Sequence, residues 1–364
     1  MIFGVFLMTL GSKSLLIILL SLVSALSPVS AQTPSFTVGW SVYVGWSPYF
    51  YMAKSGILKK WADKYGVNIK VQRFDYAPSL EAFVAKNVDA CAMTNMEALD
   101  MPAASGVDTT SIITGDFSNG NDALLVRNGV TFQTLAGKKV LLVEKTVSQY
   151  LFERAMTLNG VESQIRRVKL VNTSDADIAG AFIGDTSQEA VVTWKPMVSQ
   201  IASAKGVKMM FNSSQIPGEI LDLMVVRTEV LNRPDGSGQK FAKALTGAWY
   251  EVMSLMSGSN ADKVLTAIAQ ASQDTLASYK EQLSTTKMLY SPQAAVDLTK
   301  SPALKEKMNL VRQFCFTHGL LGNNTKSVDD VAIKYPDGTV QGKQDRVRLR
   351  FDASYMQLAA QGKL

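Results

Sequence analysis

The chain has few of the residues that build disulfide frameworks and metal centres. Its 364 residues include two cysteines, Cys91 and Cys315, and a single histidine, His318. Two cysteines cannot make a disulfide-rich scaffold, and one histidine with two separated cysteines cannot supply a zinc cluster. These absences exclude most zinc chemistry and any catalysis by paired histidines, and no cofactor or metal is expected.

Long apolar runs are also scarce, and the one near the start is interrupted. Among the first 31 residues Lys13 is the only charge, and residues 15–26 are almost entirely apolar. The polar stretch around Lys13 leaves each half shorter than the ~20 residues that a membrane-spanning helix needs, which argues against a membrane anchor. Small residues precede Gln32, so the pattern is typical of a secretory signal peptide cleaved after Ala31. We therefore expect an exported protein.

Neither sign of charge dominates the sequence. Lys and Arg number 37 against 31 Asp and Glu, for a net charge of +6. The acidic residues are interspersed with the basic ones, so a nucleic-acid partner is not expected. An apolar content of 47% with 11 prolines is a globular composition, and at roughly 100 to 200 residues per domain the length favours about two structural units.

After residue 32, short apolar runs alternate with helical patterns, which is typical of βα units and a largely parallel sheet. A second series of such units begins near residue 135, and beyond residue 227 the pattern is mostly helical. A turn signal at residues 336–338 predicts a peripheral hairpin. Strands in the first series are predicted at residues 36–44, 67–74, 88–93, 111–114 and 123–127. The sequence thus predicts an α/β protein with two lobes and C-terminal helices.

The lone histidine has a simple structural interpretation. Cys315 and His318 share the apolar stripe of a predicted helix, and Gly319 follows as a helix-ending glycine. A histidine in the last helical turn complements the helix dipole, so we expect a structural role for it. Cys91 and Cys315 are expected to be buried, and the sequence leaves open whether they form a disulfide.

Four phrases occur in order between residues 36 and 228. They are an aromatic phrase with Pro48-Tyr49 at residues 45–58, an Ala-rich helix leading into Asp89-Ala90 at residues 82–90, Leu135-Ala136-Gly137-Lys138-Lys139-Val140, and Trp194-Lys195-Pro196. Together they resemble the periplasmic substrate-binding proteins of ABC importers in the nitrate, sulfonate and taurine class. Within that class, residues 45–58 and 94–100 most resemble the sequences of the binding proteins encoded beside urea carboxylase or guanidine carboxylase.

The resemblance implies a fold, a location and partners. The fold would be a two-lobed periplasmic binding protein clamp of type II, each lobe a mixed sheet flanked by helices, with a helical C-terminal extension on lobe I. The mature protein would be a periplasmic monomer that closes about two crossovers and delivers a small-molecule solute to an ABC permease and its ATPase subunits in the inner membrane. The implied divisions are residues 1–31 for the signal peptide, 32–127 for the first part of lobe I, 128–225 for lobe II, and 226–364 for the return to lobe I with the C-terminal helices and tail.

The sequence departs from that class at two places. The class usually has Gly-Ser or Gly-Thr at the start of the lobe II helix, where backbone amides suit an anion. Here residues 143–148 contain no glycine, and Glu144 stands there. The usual Gly-x-Val-Asp-Ala phrase before Trp194 is also altered, at residues 184–190. Both departures argue against sulfonate or nitrate as the ligand.

Ligands of open α/β sheets bind beyond the carboxyl ends of the strands. The residues predicted just after strands are Trp46, Tyr49, Asp75, Asn95, Glu97, Asp116, Thr146 and Trp194, and Asp222 is added where the chain returns to lobe I, at the start of a strand predicted over residues 222–227. Aromatic rings and carboxylates dominate this set, and both attract a small cation. A planar guanidinium can use both at once. Guanidinium or the isosteric urea is therefore the predicted ligand.

Simpler roles stay open for several of these residues. A tryptophan or tyrosine is more often a core residue than part of a ligand cage. Asp75 can cap a helix, and Asp116 can shape a turn after Gly115. Lys195 would argue against a cationic ligand if it pointed into the cleft.

Other functions also stay open. The ligand could be sulfonate, nitrate, bicarbonate or thiamine pyrimidine, and a two-lobed sensor would share the same ligand chemistry. The resembling fold also hosts an enzyme of thiamine pyrimidine synthesis, whose activity is associated with a catalytic histidine and clustered cysteines. This sequence has one helical histidine, isolated cysteines, no G-x-S-x-G nucleophile elbow and no G-K-[ST] phosphate loop. We therefore expect a binding protein and not an enzyme.

Overall fold

The computed structural model describes residues 32–271 and 274–364, together with residues 1 and 4. The predicted signal peptide and its cleavage site at Ala31 lie outside the described residues. The segment Pro34–Leu364 forms one structural unit built on two mixed β-sheets with helices on their faces. The predicted α/β fold with two sheets is therefore confirmed. Among the described residues, no helix is both long and apolar enough to cross a membrane.

Short, largely buried strands make up the two sheets. They are β1 (Ser35–Trp40), β2 (Asn68–Arg73), β3 (Ala90–Thr94), β4 (Thr109–Ser118), β5 (Ala123–Arg127), β6 (Lys139–Leu142), β7 (Lys169–Asn172), β8 (Ala190–Thr193), β9 (Val207–Asn212), β10 (Leu221–Arg227), β11 (Thr286–Met288), β12 (Ala332–Lys334), β13 (Val340–Gln341) and β14 (Val347–Phe351). Every residue of β3, β8 and β10 is buried, as expected for strands covered on both faces.

Helices fill most of the intervals between strands. They are α1 (Ser47–Lys54), α2 (Ile57–Tyr65), α3 (Tyr76–Val84), α4 (Val147–Leu158), α5 (Ile178–Gly184), α6 (Met197–Ala202), α7 (Thr228–Leu231), α8 (Ser237–Ser257), α9 (Ala261–Ala271), α10 (Leu276–Ser284), α11 (Pro292–Lys300), α12 (Pro302–Thr317) and α13 (Ser354–Ala360). Proline stands in the first turn of α1, α11 and α12, where its missing N–H costs no intrahelical bond. Helices α7 to α13 form the predicted C-terminal extension.

The first sheet combines strands from both ends of the chain. Its order is β13-β12-β14-β4-β10-β3-β1-β2, and β11 pairs with β4. Strands β1, β2 and β3 are parallel, while β10 runs antiparallel between β3 and β4. The second sheet has the order β7-β6-β8-β5-β9, in which β5 is antiparallel to both of its neighbours.

The chain passes between the sheets twice. Strand β5 belongs to the second sheet and β10 to the first, so the passages are residues 119–122 and 213–220. Both lie a few residues before the lobe boundaries expected from the sequence. The apolar pattern of β5 or β10 does not show to which sheet the strand belongs, because both sheets bury strands in the same way.

One local prediction needs correction, and another is confirmed. The first strand was expected over residues 36–44, but β1 ends at Trp40, and the backbone then turns so that Trp46 and Ser47 donate to the carbonyl of Tyr43. The hairpin after Ala332 is confirmed, because β12 and β13 are antiparallel. It is also peripheral, because β13 is the edge strand of the first sheet and β14 connects the hairpin to β4. A turn motif marks a hairpin but does not show what the hairpin pairs with.

Candidate ligand-binding cleft

A small cavity lies between the two sheets. Its volume is about 20 Å³, a little more than the roughly 10 to 15 Å³ that one water molecule needs. The passages of the chain between the sheets border it, as do the ends of β3 and β10. Its lining residues are Tyr43, Trp46, Tyr76, Thr94, Asp122, Val147, Trp194, Ile220 and Asp222.

Aromatic rings form a continuous wall of this cavity. The ring centroids of Tyr43 and Trp46 are 5.1 Å apart, those of Trp46 and Tyr76 5.4 Å, and those of Tyr76 and Trp194 5.7 Å. The indole N–H of Trp194 donates to the backbone carbonyl of Val42 at 3.2 Å. The indole N–H of Trp46 is buried and finds no hydrogen-bond partner among the described residues. The wall therefore offers ring faces and one unused donor.

Buried carboxyl groups cluster next to the aromatic wall. Asp222 and Asp122 line the cavity, and Asp116 is the direct partner of Asp222 across β4 and β10. The hydroxyl of Tyr43 donates to Asp116 at 2.9 Å, and that of Ser118 donates to Asp122. All three carboxyl groups are at most 3% exposed.

Burial changes the protonation of this cluster. Burial raises the pKa of Asp116 to about 6 and that of Asp122 to about 7. For Asp222, burial and then the neighbouring carboxyl of Asp116 raise the pKa well above its ordinary value, because two carboxylates this close resist ionising together. The cluster therefore holds protons near neutral pH unless a positive charge enters the cavity.

Protein cations are kept out of the lining. Within residues 32–271 and 274–364, no Lys, Arg or His side chain lines this cavity. The ammonium of Lys195 forms an ion pair with Glu281, so this lysine does not oppose a cationic ligand from the lining. In the same described part of the chain, no group of three His, Cys, Asp or Glu side chains is placed to hold a metal ion.

Gly45 is required by the close approach of Asp116. A Cβ at position 45 would lie 2.4 Å from Oδ2 of Asp116 and 2.6 Å from the ring of Tyr43. Any larger residue would push the carboxyl group or the ring out of place. The glycine of the Gly45-Trp46 phrase thus lets the segment after β1 pack directly against the acidic cluster.

The structure brings only part of the predicted site into contact with the cavity. Trp46, Trp194 and Asp222 line it. Asp116 lies in β4 rather than in a turn, behind Asp222. Tyr49 is buried and stacks on Trp249 with a centroid distance of 4.6 Å, so it packs in the core.

The other predicted residues have local partners. Asn95 accepts from the N–H of Leu221 and donates to the carbonyl of Glu219, which ties β3 to the second passage. Thr146 caps α4 by accepting from the N–H of Ser148. Asp75 is exposed at the N-cap position of α3, although its side chain makes no capping bond. Glu97 is buried, and it receives a hydrogen bond from the N–H of Val147 at 2.9 Å.

Sequence reasoning missed several lining residues. Tyr43 was placed inside a strand that in fact ends at Trp40, and Tyr76 was overlooked beside Asp75, although both follow strand ends. Thr94 is the last residue of β3. Val147 and Ile220 carry no polar signal that would mark them. Asp122 was hidden because the passage between the sheets was not located.

Contacts across the cleft hold the two sheets together. His318 at the end of α12 meets Glu153 of α4 with 2.8 Å between Nε2 and Oε2, and this carboxylate raises the pKa of the imidazole. Glu219 of the second passage accepts from Arg154 and from the hydroxyl of Tyr150, both on α4. His318 therefore has the structural role expected for it, and it does not line the cavity.

The two cysteines are buried and unpaired. Burial raises the pKa of the Cys91 thiol to about 12, which keeps it protonated and unreactive. Neither cysteine lines the cavity, and His318 does not line it either. The cavity therefore lacks the histidine and clustered cysteines that are associated with the enzyme of thiamine pyrimidine synthesis.

Solved structures share this fold. The alkanesulfonate-binding protein SsuA of Xanthomonas axonopodis pv. citri, bound to MOPS, superposes with a TM-score of 0.65 at 15% identity, covering 80% of this chain and 96% of that one. The aliphatic sulphonate-binding protein SsuA of Escherichia coli gives 0.61 at 17% identity, covering 79% and 94%. The nitrate-binding protein NrtA of Synechocystis PCC 6803 gives 0.58 at 10% identity, covering 90% and 98%.

The fold is therefore that of the periplasmic binding proteins. No protein-family model matches the chain, and no curated protein matches it. Identities of 10% to 17% do not carry a ligand from those structures to this one, so the ligand has to be argued from the cavity itself.

Proposed function

We propose that this protein is the substrate-binding component of an ABC importer and captures a small nitrogen-rich solute, guanidinium or urea, between its two lobes. A small cavity lined by aromatic rings and buried carboxyl groups, with no basic side chain in its described lining, carries the proposal. A planar cation with N–H donors on its rim would fit this lining, because its faces can stack on the rings and its N–H groups can donate to the carboxylates.

Charge selects the cation over an anion of the same size. Nitrate and guanidinium are both planar and have four non-hydrogen atoms, so the volume of the cavity does not separate them. Asp222 and Asp122 line the cavity and Asp116 lies behind Asp222. A cation lets these groups ionise and form charge-assisted bonds of roughly 1.5 to 3 kcal/mol each, whereas nitrate has no N–H donors to offer them and would oppose their ionisation.

Urea is the second candidate ligand because the cavity wall contains one hydrogen-bond donor without a partner. The buried N–H of Trp46 has no partner in the described structure, and the carbonyl oxygen of urea could accept from it. Guanidinium has no such acceptor. Trp46→Phe keeps a ring face and removes only the N–H, so urea binding should weaken in this variant while guanidinium binding changes little.

Lobe closure and location follow from the same proposal. We propose that residues 119–122 and 213–220 act as the hinge, that the signal peptide of residues 1–31 directs the mature monomer to the periplasm, and that a permease with ATPase subunits receives the solute. The sulfonate- and nitrate-binding proteins of the same fold support a binding role in transport and not an enzymatic one.

A thermal-shift screen tests the proposal. The mature protein is heated with guanidinium, urea, nitrate, taurine, bicarbonate or thiamine pyrimidine, each at a low millimolar concentration that does not itself denature proteins. A ligand at a hundred times its Kd stabilises the folded state by about 2.7 kcal/mol. We expect a rise in Tm with guanidinium or urea. Stabilisation by nitrate, taurine, bicarbonate or thiamine pyrimidine, with guanidinium and urea inert, would refute the proposal.

A further inference from the structure

The first turn of α4 already has an acidic partner supplied by the chain itself. Glu97 follows β3 of the first sheet, and its Oε1 accepts the N–H of Val147, the first residue of α4, at 2.9 Å. The second carboxyl oxygen accepts the hydroxyl of Thr94. The side chain is fully buried, so this contact between the lobes is shielded from water.

A helix N-terminus is otherwise a favourable place for an oxyanion. Its free N–H groups and its dipole both attract negative charge. In α4, which is twelve residues long, Thr146 caps the N–H of Ser148 and Glu97 takes that of Val147. Val147 also lines the cavity. The donor that would face an oxyanion in the cavity is therefore already occupied.

We propose that Glu97 is a specificity-determining residue that occupies the anion-binding start of α4 and thereby excludes oxyanions from the cleft. Its carboxyl group takes the place that a nitrate or carboxylate ligand would use at the N–H of Val147. The inference concerns the cleft of the proposed function, but it does not require that guanidinium be the ligand.

Variants at position 97 test the role. Glu97→Ala opens the N–H of Val147 and leaves a space that a small oxyanion can fill. Glu97→Gln is the matched control, because its amide oxygen can still accept from Val147. Wild type and both variants of the mature protein are titrated calorimetrically with sodium nitrate and sodium acetate, and with sodium chloride to control for ionic strength.

We expect Glu97→Ala to bind nitrate or acetate saturably and at least tenfold more tightly than wild type, while Glu97→Gln behaves as wild type. A folded Glu97→Ala that binds neither anion would overturn the inference, as would saturable nitrate binding by the wild type. Guanidinium inert towards wild type would refute the proposed ligand but would leave this result standing.

An NMR measurement covers the case in which Glu97→Ala does not fold. Refolding of that variant only in the presence of acetate would itself support the role. If it folds under neither condition, the amide resonance of Val147 decides. It should shift between wild type and Glu97→Gln and stay unchanged when nitrate is added to wild type. A shift of this resonance in wild type on adding nitrate would contradict the inference.

Discussion

Replacing Asp222 by asparagine separates ligand binding from folding. Asp222 lines the cavity, is 3% exposed, and has no basic neighbour in the described lining. At about 4 Å and an effective dielectric constant of about 20, two unit charges attract by about 4 kcal/mol. Loss of one partner of a buried charge pair costs about 2 to 5 kcal/mol. Asp222→Asn should therefore weaken guanidinium binding by roughly 30-fold to 4,000-fold.

The ligand-free protein should respond in the opposite direction. The carboxyl of Asp116 helps to raise the pKa of Asp222, so the two acids repel each other as they ionise. An amide at position 222 removes that repulsion, and the free energy of unfolding at pH 8 should stay equal or rise. Exposed Asp345 provides the control, because Asp345→Asn removes one surface carboxylate without touching the cavity.

Calorimetric titration and thermal unfolding of the three proteins give both quantities. The reasoning predicts weaker binding at equal or greater stability for Asp222→Asn, and no change in affinity for Asp345→Asn. It would be refuted if Asp222→Asn bound guanidinium within about threefold of wild type. A loss of affinity accompanied by a loss of stability would also contradict it, since that pattern indicates damaged folding.

Three further predictions concern stability. The free energy of unfolding of the ligand-free protein should fall as the pH rises from about 4 to about 7. Burial raises the pKa of Asp116 to about 6 and that of Asp122 to about 7, and protons bound only in the folded state stabilise it at low pH. Denaturant titrations at several pH values measure this free energy, and a rise over that range would contradict the prediction. Gly45→Ala should destabilise the protein by about 1 to 3 kcal/mol and weaken ligand binding, because its Cβ would lie 2.4 Å from Asp116. The control is Gly184→Ala, whose Cβ meets nothing within 4 Å. Equal denaturation midpoints for the two variants would argue against the close approach. His318→Gln should lower the free energy of unfolding most below pH 6.5, the ordinary pKa of histidine. The difference from wild type should disappear as the pH rises through the raised pKa of His318. A pH-independent difference would mean that the contact with Glu153 does not depend on charge.

Local patterns were enough to predict most strands of the two sheets and part of the cleft. Asp222 was predicted because it stands where the chain returns to lobe I, at the start of a predicted strand that ends at Arg227. Trp46 and Trp194 were predicted because each lies just beyond a strand. In these cases a residue's neighbours in sequence determine where its side chain points.

The rest of the cleft depends on contacts between distant segments. Tyr43 reaches the cavity because the chain turns after Trp40, and that turn is stabilised by its packing against Asp116. Glu97 meets Val147 across the cleft, 50 residues away in sequence. Tyr49 shows the opposite case, since its position suits a ligand cage but a stacking partner in α8, Trp249, holds it in the core. No local periodicity encodes such pairings.

Calorimetric titration of the wild-type mature protein at pH 7.5 to 8 tests the central claim most directly. Guanidinium chloride, urea and sodium nitrate are compared under identical ionic strength. The account predicts saturable one-to-one binding of guanidinium or urea, with protons released from the carboxyl cluster if the ligand is the cation, and no saturable binding of nitrate. Saturable binding of nitrate with both guanidinium and urea inert would contradict the account.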